Sequence, residues 1–171
     1  MSESSNIRLA FTWPDGPIPS GVTDLEGTLE EFISKSVRSI DIMAYHHTLK
    51  DEFILNKTIE SAIREYRPKI RFFTNTESTA RILFEKYGRL GSDVEAWYWN
   101  HLGIEYSIFH LKTILVNDRH IYIGSANLST AAMELSAECG IFLTDKKIAM
   151  QLKNYISDLI KHERLLKVIS A

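Results

Sequence analysis

The chain has 171 residues, of which 44% are hydrophobic and 25% are charged, which is typical of one globular domain with its own core. A formal net charge of −2 and a pI of about 6.3 argue against a protein that coats nucleic acid without preference, but they are compatible with an enzyme that has a local basic cleft. Residues 1–6 lack the apolar core of a signal peptide and no apolar run approaches the ~18 residues that span a bilayer, so we expect a single cytoplasmic domain over residues 1–171 with no membrane partner.

Strands and helices are predicted to alternate through the first half of the chain. Residues 7–12 predict a strand, and a loop rich in proline and glycine follows over 14–27. Asp24 or Thr28 is the predicted N-cap of a helix that ends near Ser36. In chain order, the next predicted elements are a strand at 39–45, a helix at 51–66, a strand at 69–74, a helix at 77–88 and a strand at 94–98.

A hairpin and a final helix are predicted in the second half of the chain. The elements there are a strand at 107–116, a turn at 117–120, a strand at 121–123, a strand at 137–143 and a helix at 146–165. The only cysteine, Cys139, fits a reducing compartment and is expected to be a small buried side chain. This order of elements predicts an α/β sandwich in which helices flank a mixed β-sheet.

A short, otherwise apolar region contains a group of polar residues that suits an anionic ligand. His110 and Lys112 are two positions apart on a predicted strand, so their side chains are expected to point to the same face. The next strand is followed by a tight loop in which Gly124 lets a ligand approach the backbone, while Ser125 and Asn127 offer hydrogen-bond donors. Together these groups predict a phosphate-binding site.

The spacing of these residues resembles the HxK(x)4D(x)6GSxN signature of the phospholipase D superfamily. His110-Leu111-Lys112 is followed after four residues by Asn117 and after six more by Gly124-Ser125-Ala126-Asn127, so only Asn117, in place of an aspartate, departs from the signature. Glu138 stands where bacterial nucleases of the family keep a glutamate, and residues 36–45 resemble the family's second strand, which typically ends in Ala-Tyr. The chain thus resembles small single-motif bacterial nucleases of this superfamily from about residue 28 to 165.

The resemblance implies a phosphodiesterase that needs neither metal nor cofactor. One histidine attacks phosphorus and forms a covalent phosphohistidine, a second histidine protonates the leaving oxygen, and water then hydrolyses the intermediate. By the resemblance, His110 is the nucleophile, while Lys112 and Asn127 hold the phosphoryl oxygens. Glu138 is expected to accept a hydrogen bond from the His110 ring and to fix its orientation.

Three further residues are predicted to bind substrate more weakly, namely Gly124, Ser125 and Asn117. The family's aspartate at the position of Asn117 supports the loop more than it touches phosphate. Asparagine keeps the shape of that side chain but loses its charge. Two interpretations therefore stay open, an active hydrolase and a degenerate module that binds phosphate or nucleic acid without turnover.

The single copy of the motif predicts a homodimer. None of the other five histidines is followed by lysine two residues later, so the second catalytic histidine must come from a second subunit across a two-fold axis. The expected substrate is nucleic acid, with DNA favoured over RNA. A lipid or small phosphodiester hydrolase is the alternative, and partner subunits of a restriction or phage-defence system are a further expectation that the residues do not decide.

Other polar and aromatic residues allow more than one interpretation. His46 and His47 follow the predicted strand at 39–45 and are expected to line the rim of the site or a solvated loop, since a metal needs more ligands. Aromatic residues between 97 and 109 are expected to pack in the core or a dimer interface, with base stacking as the alternative. Basic residues between 64 and 89 predict a solvated surface, with a nucleic-acid groove as the alternative.

Overall fold

The strands form one mixed sheet, as predicted. A computed structural model describes residues 7–14, 16–34, 37–50 and 52–169. Its strands are Ile7–Phe11 (β1), Ser39–Ala44 (β2), Lys69–Thr74 (β3), Val94–Trp99 (β4), Lys112–Val116 (β5), His120–Gly124 (β6), Cys139–Thr144 (β7) and Leu165–Lys167 (β8). Its helices are Leu25–Ser34 (α1), Ile54–Tyr66 (α2), Glu77–Gly88 (α3) and Lys146–Lys161 (α4), with a π-helical turn at Ala131–Leu135. The strand order is β1-β7-β6-β5-β2-β3-β4-β8.

A parallel part of this sheet is flanked on both sides by antiparallel strand pairs. β2, β3 and β4 are parallel neighbours, because α2 and α3 each return the chain to the edge from which it started. The remaining pairs within the described ranges are antiparallel. Since β5 is antiparallel to both β2 and β6, the start of β5 and the ends of β2 and β6 lie at the same edge of the sheet.

Successive side chains of the central strands enter two different cores. Ile42 of β2 and Ile114 of β5 belong to the larger core, which α1, α2 and α3 cover. Their neighbours Met43 and Leu115 belong to the smaller core on the other face, which α4 covers. The central strands are therefore buried on both faces. No helix in the described ranges combines the length and apolar character needed to cross a bilayer.

The first helix begins at a side-chain cap. Asp24 is confirmed as the side-chain cap of α1, because its carboxylate accepts a hydrogen bond of 2.8 Å from the Gly27 N–H. Thr28 lies inside the helix and donates its hydroxyl hydrogen to the Asp24 carbonyl. The predicted end of this helix at Ser36 lies outside the described residues. The second helix was predicted from residue 51 but begins at Ile54.

The final helix is shorter than the predicted span of 146–165. It ends at Lys161 because Glu163 adopts a left-handed φ of 55° and the Arg164 N–H turns back to the Leu159 carbonyl at 2.8 Å. The released chain then pairs with β4 as β8, for which Trp99↔Leu165 is one register pair. Three residues are too few to show a strand period, which is why the sequence did not predict β8.

The predicted strand at 107–116 begins only at Lys112. The preceding residues are held by side-chain contacts instead of a strand ladder. The Phe109 N–H donates to the Asn75 side-chain oxygen at 2.9 Å, and the Phe109 ring is buried in the smaller core. His110 therefore lies just before the strand, at the edge of the sheet, and not on the strand as predicted.

One part of the sheet face under α4 is left uncovered. Leu9, Ile141 and Ile123 are cross-strand neighbours on β1, β7 and β6, and their side chains are 53%, 40% and 46% exposed. Cys139 is on the same face of β7 and is exposed, so the prediction that it is buried is wrong. An apolar row of this kind is unusual on a solvated sheet face and indicates a contact surface.

Candidate active site

Four strand ends bring the predicted site residues to one edge of the sheet. Ala44 at the end of β2 pairs with Lys112 at the start of β5. Gly124 at the end of β6 pairs with Gly140 near the start of β7, so Glu138 comes to the same edge. Because neighbouring strands in this row are antiparallel, residues separated by up to 94 positions in the chain come to the same edge of the sheet.

His110 and Lys112 share an aromatic neighbour, Tyr45. The His110 ring is exposed and meets the Tyr45 ring edge-on, with the ring centroids 5.2 Å apart and an interplanar angle of 65°. The Lys112 Nζ lies over the same ring, 5.9 Å from its centroid, and donates to the His110 carbonyl at 3.1 Å. Partial burial lowers the pKa of Lys112, and the charge of Glu138 opposes this shift.

Ser125 and Glu138 form a hydrogen-bonded pair at this edge. The Ser125 hydroxyl donates to the Glu138 carboxylate and accepts from the Cys139 N–H at 3.1 Å. Within the described residues, no hydrogen bond joins the His110 ring to Glu138, although one was predicted from the sequence. In this geometry the carboxylate orients the serine hydroxyl, and the ring contact of the histidine is with Tyr45.

Gly124 is required by packing as well as by its place in the loop. A Cβ at this position would overlap the hydroxyl of Tyr122 and approach the Cys139 carbonyl to 2.7 Å. Gly140, its partner across the ladder, would overlap the same ring. Tyr122 is fully buried in the larger core, so neither glycine has room for a side chain. A contact between Gly124 and substrate stays a prediction.

Asn127 links the loop after β6 to the segment after β2. Its side-chain oxygen accepts from the His46 N–H at 3.3 Å, which leaves the amide nitrogen as the donor end of this side chain. The neighbouring Leu128 forms a parallel bridge with His47, and its carbonyl accepts from the Thr48 N–H at 2.8 Å. The two loops are therefore fixed relative to each other.

His47 is buried, which corrects the interpretation of this residue as part of a rim or a solvated loop. Its side chain is 7% exposed and packs edge-on against Phe72, with ring centroids 6.2 Å apart. Burial, together with the charge of His46, lowers the pKa of His47 to about 4, and a hydrogen bond with the Ala44 backbone partly opposes this shift. The ring is therefore neutral at pH 7, and its Nε2 has no partner in the described part of the chain.

Asn117 lies away from the other predicted site residues, at the opposite end of β5 from Lys112. It has a φ of 54° in the turn between β5 and β6, a conformation that asparagine tolerates better than most residues. Its side-chain oxygen accepts from the Arg38 N–H at 2.7 Å and from the Ser39 N–H at 3.3 Å. The prediction that Asn117 binds substrate is therefore corrected, because the residue ties a hairpin turn to the start of β2.

We expect Asn117→Asp to keep the rate of the phosphodiester hydrolysis that the resemblance implies within about threefold, since aspartate can accept both hydrogen bonds and tolerate the same φ. Asn117→Ala should lower the free energy of unfolding by about 2–3 kcal/mol, because it loses both bonds and because alanine tolerates the left-handed region less well than asparagine does. Asn117→Gly is the matched control, since it keeps the backbone freedom and loses only the bonds. Urea unfolding and steady-state rates measure these effects, and a tenfold loss of rate in Asn117→Asp would contradict the structural role.

The aromatic residues between 97 and 109 mostly pack within the protein. The Trp97 ring stacks on Phe73 with centroids 6.4 Å apart, and the Trp99 ring contacts Phe109 at 6.0 Å. Tyr106 differs from them, with 88% of its side chain exposed. Packing against the core is thus confirmed for the tryptophans, which are half-buried, and Tyr106 is the exposed aromatic side chain of this group.

The basic residues between 64 and 89 are largely neutralised by local carboxylates. The described ion pairs there are Lys69 with Asp93 and Glu95, Arg71 with Asp41, Arg81 with Glu77, Lys86 with Glu60, and Arg89 with Glu85. These pairs remove the excess positive charge that a nucleic-acid groove needs. The structure supports the solvated-surface interpretation.

Tyr45 is the site residue that sequence reasoning missed. The available signal was an Ala-Tyr pair at the end of a predicted strand, but nothing in the sequence said that this strand would pair with the one carrying Lys112. Strand order, which brings the tyrosine next to His110, is a property of the whole sheet and cannot be obtained from local periodicity.

Comparison with known proteins supports this geometry. A family model described as cardiolipin synthase, PLD-like domain, matches residues 29–160, well over half of the chain. The virion nicking-joining enzyme of Vaccinia virus (strain Western Reserve) is 27% identical over 124 residues, which are 68% of this chain and 28% of that enzyme. Its Monkeypox virus counterpart is 26% identical over the same lengths. The chain thus spans little more than a quarter of these relatives.

Solved structures share the fold along nearly the whole chain. Nuc of Salmonella typhimurium, a phospholipase D family member, aligns with a TM-score of 0.70 and 18% identity and covers 97% of this chain and 99% of its own. NucT from Helicobacter pylori aligns with a TM-score of 0.69 and 18% identity, and the match covers 96% of this chain and 99% of NucT. Phosphatidylserine synthase of Haemophilus influenzae Rd KW20 aligns with a TM-score of 0.70 and 16% identity, and the match covers 96% of this chain and 40% of the synthase. With the family match and the HxK and GSxN residues at one sheet edge, the chain belongs to the PLD-like domain family of the phospholipase D superfamily.

Proposed function

We propose that this protein is a metal-independent nuclease that hydrolyses phosphodiester bonds of nucleic acid, DNA in preference to RNA, through a phosphohistidine at His110. The observation that carries the proposal is the convergence of His110, Lys112, Ser125 and Asn127 at one sheet edge. These groups supply a nucleophile, a cation and neutral hydrogen-bond donors within one surface patch. Such a set matches a phosphodiester, which presents one negative charge and two non-bridging oxygens.

The reaction has two displacements at phosphorus. An imidazole nitrogen of His110 attacks, the bond from phosphorus to the leaving oxygen breaks, and that oxygen takes a proton from a second imidazole. Water then attacks the phosphohistidine, gives its proton to the second imidazole, and the phosphorus–nitrogen bond breaks. Lys112 and the amide nitrogen of Asn127 donate to the non-bridging oxygens in both steps. Ser125, held by Glu138, adds a weaker contact.

The second imidazole is His110 of a second copy of this chain. The uncovered apolar row of Leu9, Ile141 and Ile123 supports this arrangement, since it offers a contact surface that a monomer would leave in water. The row lies beside the site. Cys139 is on the same face of β7 as the row, and its carbonyl accepts a hydrogen bond of 3.0 Å from the Ser125 backbone N–H. Two copies that meet through this face bring their sheet edges together.

Nucleic acid is favoured over phospholipid by the names of the relatives. The viral proteins are called nicking-joining enzymes, and the likeness to phosphatidylserine synthase, at 16% identity, concerns the fold alone. A lipid or small phosphodiester substrate, and binding without turnover, are the alternatives that an assay must separate.

We expect plasmid and single-stranded DNA to be cleaved at an unchanged rate in excess EDTA, because nucleophile, acid and charge clamp are all side chains. RNA and phosphatidylcholine vesicles are assayed in parallel, and His110→Ala protein is the blank. Loss of DNA cleavage in EDTA with recovery in Mg²⁺ would disprove the mechanism. Release of choline without DNA cleavage would move the substrate class to lipid, and DNA binding without cleavage would indicate the degenerate module.

A further inference from the structure

Tyr45 is the side chain that connects the two members of the HxK pair. Its ring meets the His110 ring with centroids 5.2 Å apart, and the Lys112 Nζ lies 5.9 Å from its centroid. Tyr45 is 37% exposed, so the contact lies at the surface where substrate must arrive. No other described side chain contacts both residues by ring or charge.

The His110 ring depends on this contact for its orientation. Within the described part of the chain, its imidazole nitrogens make no hydrogen bond, and the carboxylate predicted to hold it is bound by Ser125. A free imidazole rotates about two side-chain bonds, whereas an in-line attack on phosphorus needs one orientation. An edge-on aromatic contact restricts that rotation and leaves both ring nitrogens available.

The backbone around Tyr45 is fixed from two sides. Ala44, directly before it, pairs with Lys112 in the sheet, and the His46 N–H directly after it bonds to the Asn127 side-chain oxygen at 3.3 Å. His47 is buried and bridges to Leu128. The Tyr45 ring is thus held in register with both the HxK strand and the GSxN loop.

We propose that Tyr45 is a positioning residue, which orients the His110 imidazole and holds the Lys112 ammonium group beside the phosphate through its ring and not through its hydroxyl. This role rests on the proposed function, since it acts through the nucleophile of that reaction. The ring face attracts the lysine cation while the same ring limits the rotation of the histidine. Removal of the ring is therefore expected to slow the chemical step more than it weakens substrate binding.

The experiment compares Tyr45→Phe and Tyr45→Ala with the wild type on single-stranded DNA. Tyr45→Phe keeps the ring and should retain kcat within about twofold, whereas Tyr45→Ala should lose about tenfold or more in kcat with KM within about threefold. Tyr66→Ala is the matched control, because Tyr66 is 38% exposed at the end of α2 and contacts no site residue. Its kcat should equal that of the wild type.

Two results would overturn the proposal. Equal losses in Tyr45→Phe and Tyr45→Ala would mean that the hydroxyl acts on the substrate, and a wild-type kcat in Tyr45→Ala would mean that the ring positions nothing.

An NMR measurement separates this proposal from the proposed function. The His110 ring signals are assigned by their loss in His110→Ala, and they should move in Tyr45→Ala, keep their place in Tyr45→Phe and keep it in Tyr66→Ala. If the wild type cleaves no substrate, the proposed function fails, and these signals then decide whether the Tyr45 and His110 rings are in contact. Unmoved His110 signals in Tyr45→Ala would refute the contact whatever the activity.

Discussion

A mixed dimer of one wild-type and one His110→Ala subunit is expected to be nearly inactive. In the proposed shared site, one imidazole remains to attack phosphorus and none remains to protonate the leaving oxygen. Loss of a general acid typically costs a factor of about 10²–10⁴, so the rate of the mixed dimer should fall at least about 100-fold. The His110→Ala homodimer lacks the nucleophile as well and should lose at least about 1,000-fold.

The test requires co-expression of two differently tagged chains and purification of the mixed dimer through both tags. A dimer of two wild-type chains with the same tags is the control. Retention of half the wild-type rate in the mixed dimer would mean that each subunit has a complete site, and the shared-site proposal would be wrong.

Ile141→Glu on the uncovered sheet face should give a monomer with the same loss of rate as the mixed dimer. Ile82→Glu, at an equally exposed isoleucine of α3, should remain a dimer.

The architecture was predictable because most elements have a clear period. The helix at 77–88 and the strand at 69–74 have the predicted bounds, since apolar residues recur there with the spacing of a buried helix face or a buried strand. The failures occur where tertiary contacts decide. His110 leaves the strand because Phe109 is held by Asn75, and β8 forms because the chain turns at Glu163.

The common location of five predicted site residues could be inferred from the sequence, but their contacts could not. His110, Lys112, Ser125, Asn127 and Glu138 do meet at one edge, as their spacing implied. The hydrogen-bond partner of each group could not be inferred. Glu138 was predicted to accept a hydrogen bond from the His110 ring, but in the structure its carboxylate accepts one from the Ser125 hydroxyl. Such pairings depend on side-chain rotamers and on strand order, and neither follows from the spacing of residues along the chain.

The stability of the protein is expected to fall between pH 6.5 and pH 4, and His47 should be responsible for a large part of the loss. Its pKa is about 4 in the folded protein, because burial disfavours the charged ring, and 6.5 is its ordinary value, which we take for the unfolded chain. The unfolded chain therefore binds more protons in this window, and acid favours unfolding. The contribution of the neutral His47 ring to the free energy of unfolding is fully present above pH 6.5 and is lost as the pH falls towards 4. The shift corresponds to about 3 kcal/mol.

His47→Phe should remove this dependence, since phenylalanine fills the same space against Phe72 and has no nitrogen to protonate. The free energy of unfolding is measured with urea at several pH values between 7 and 4 for the wild type, His47→Phe and His101→Ala. His101 is exposed and is not among the groups that shift the pKa of His47, so His101→Ala is the control and should keep the slope of the wild type. If the curves of unfolding free energy against pH for the wild type and His47→Phe fall in parallel, His47 is not the acid-sensitive group.

Nuclease activity should decline over the same pH range. His47 bridges to Leu128 and adjoins the segment that carries Tyr45, so its protonation should destabilise the edge of the sheet that carries the site residues.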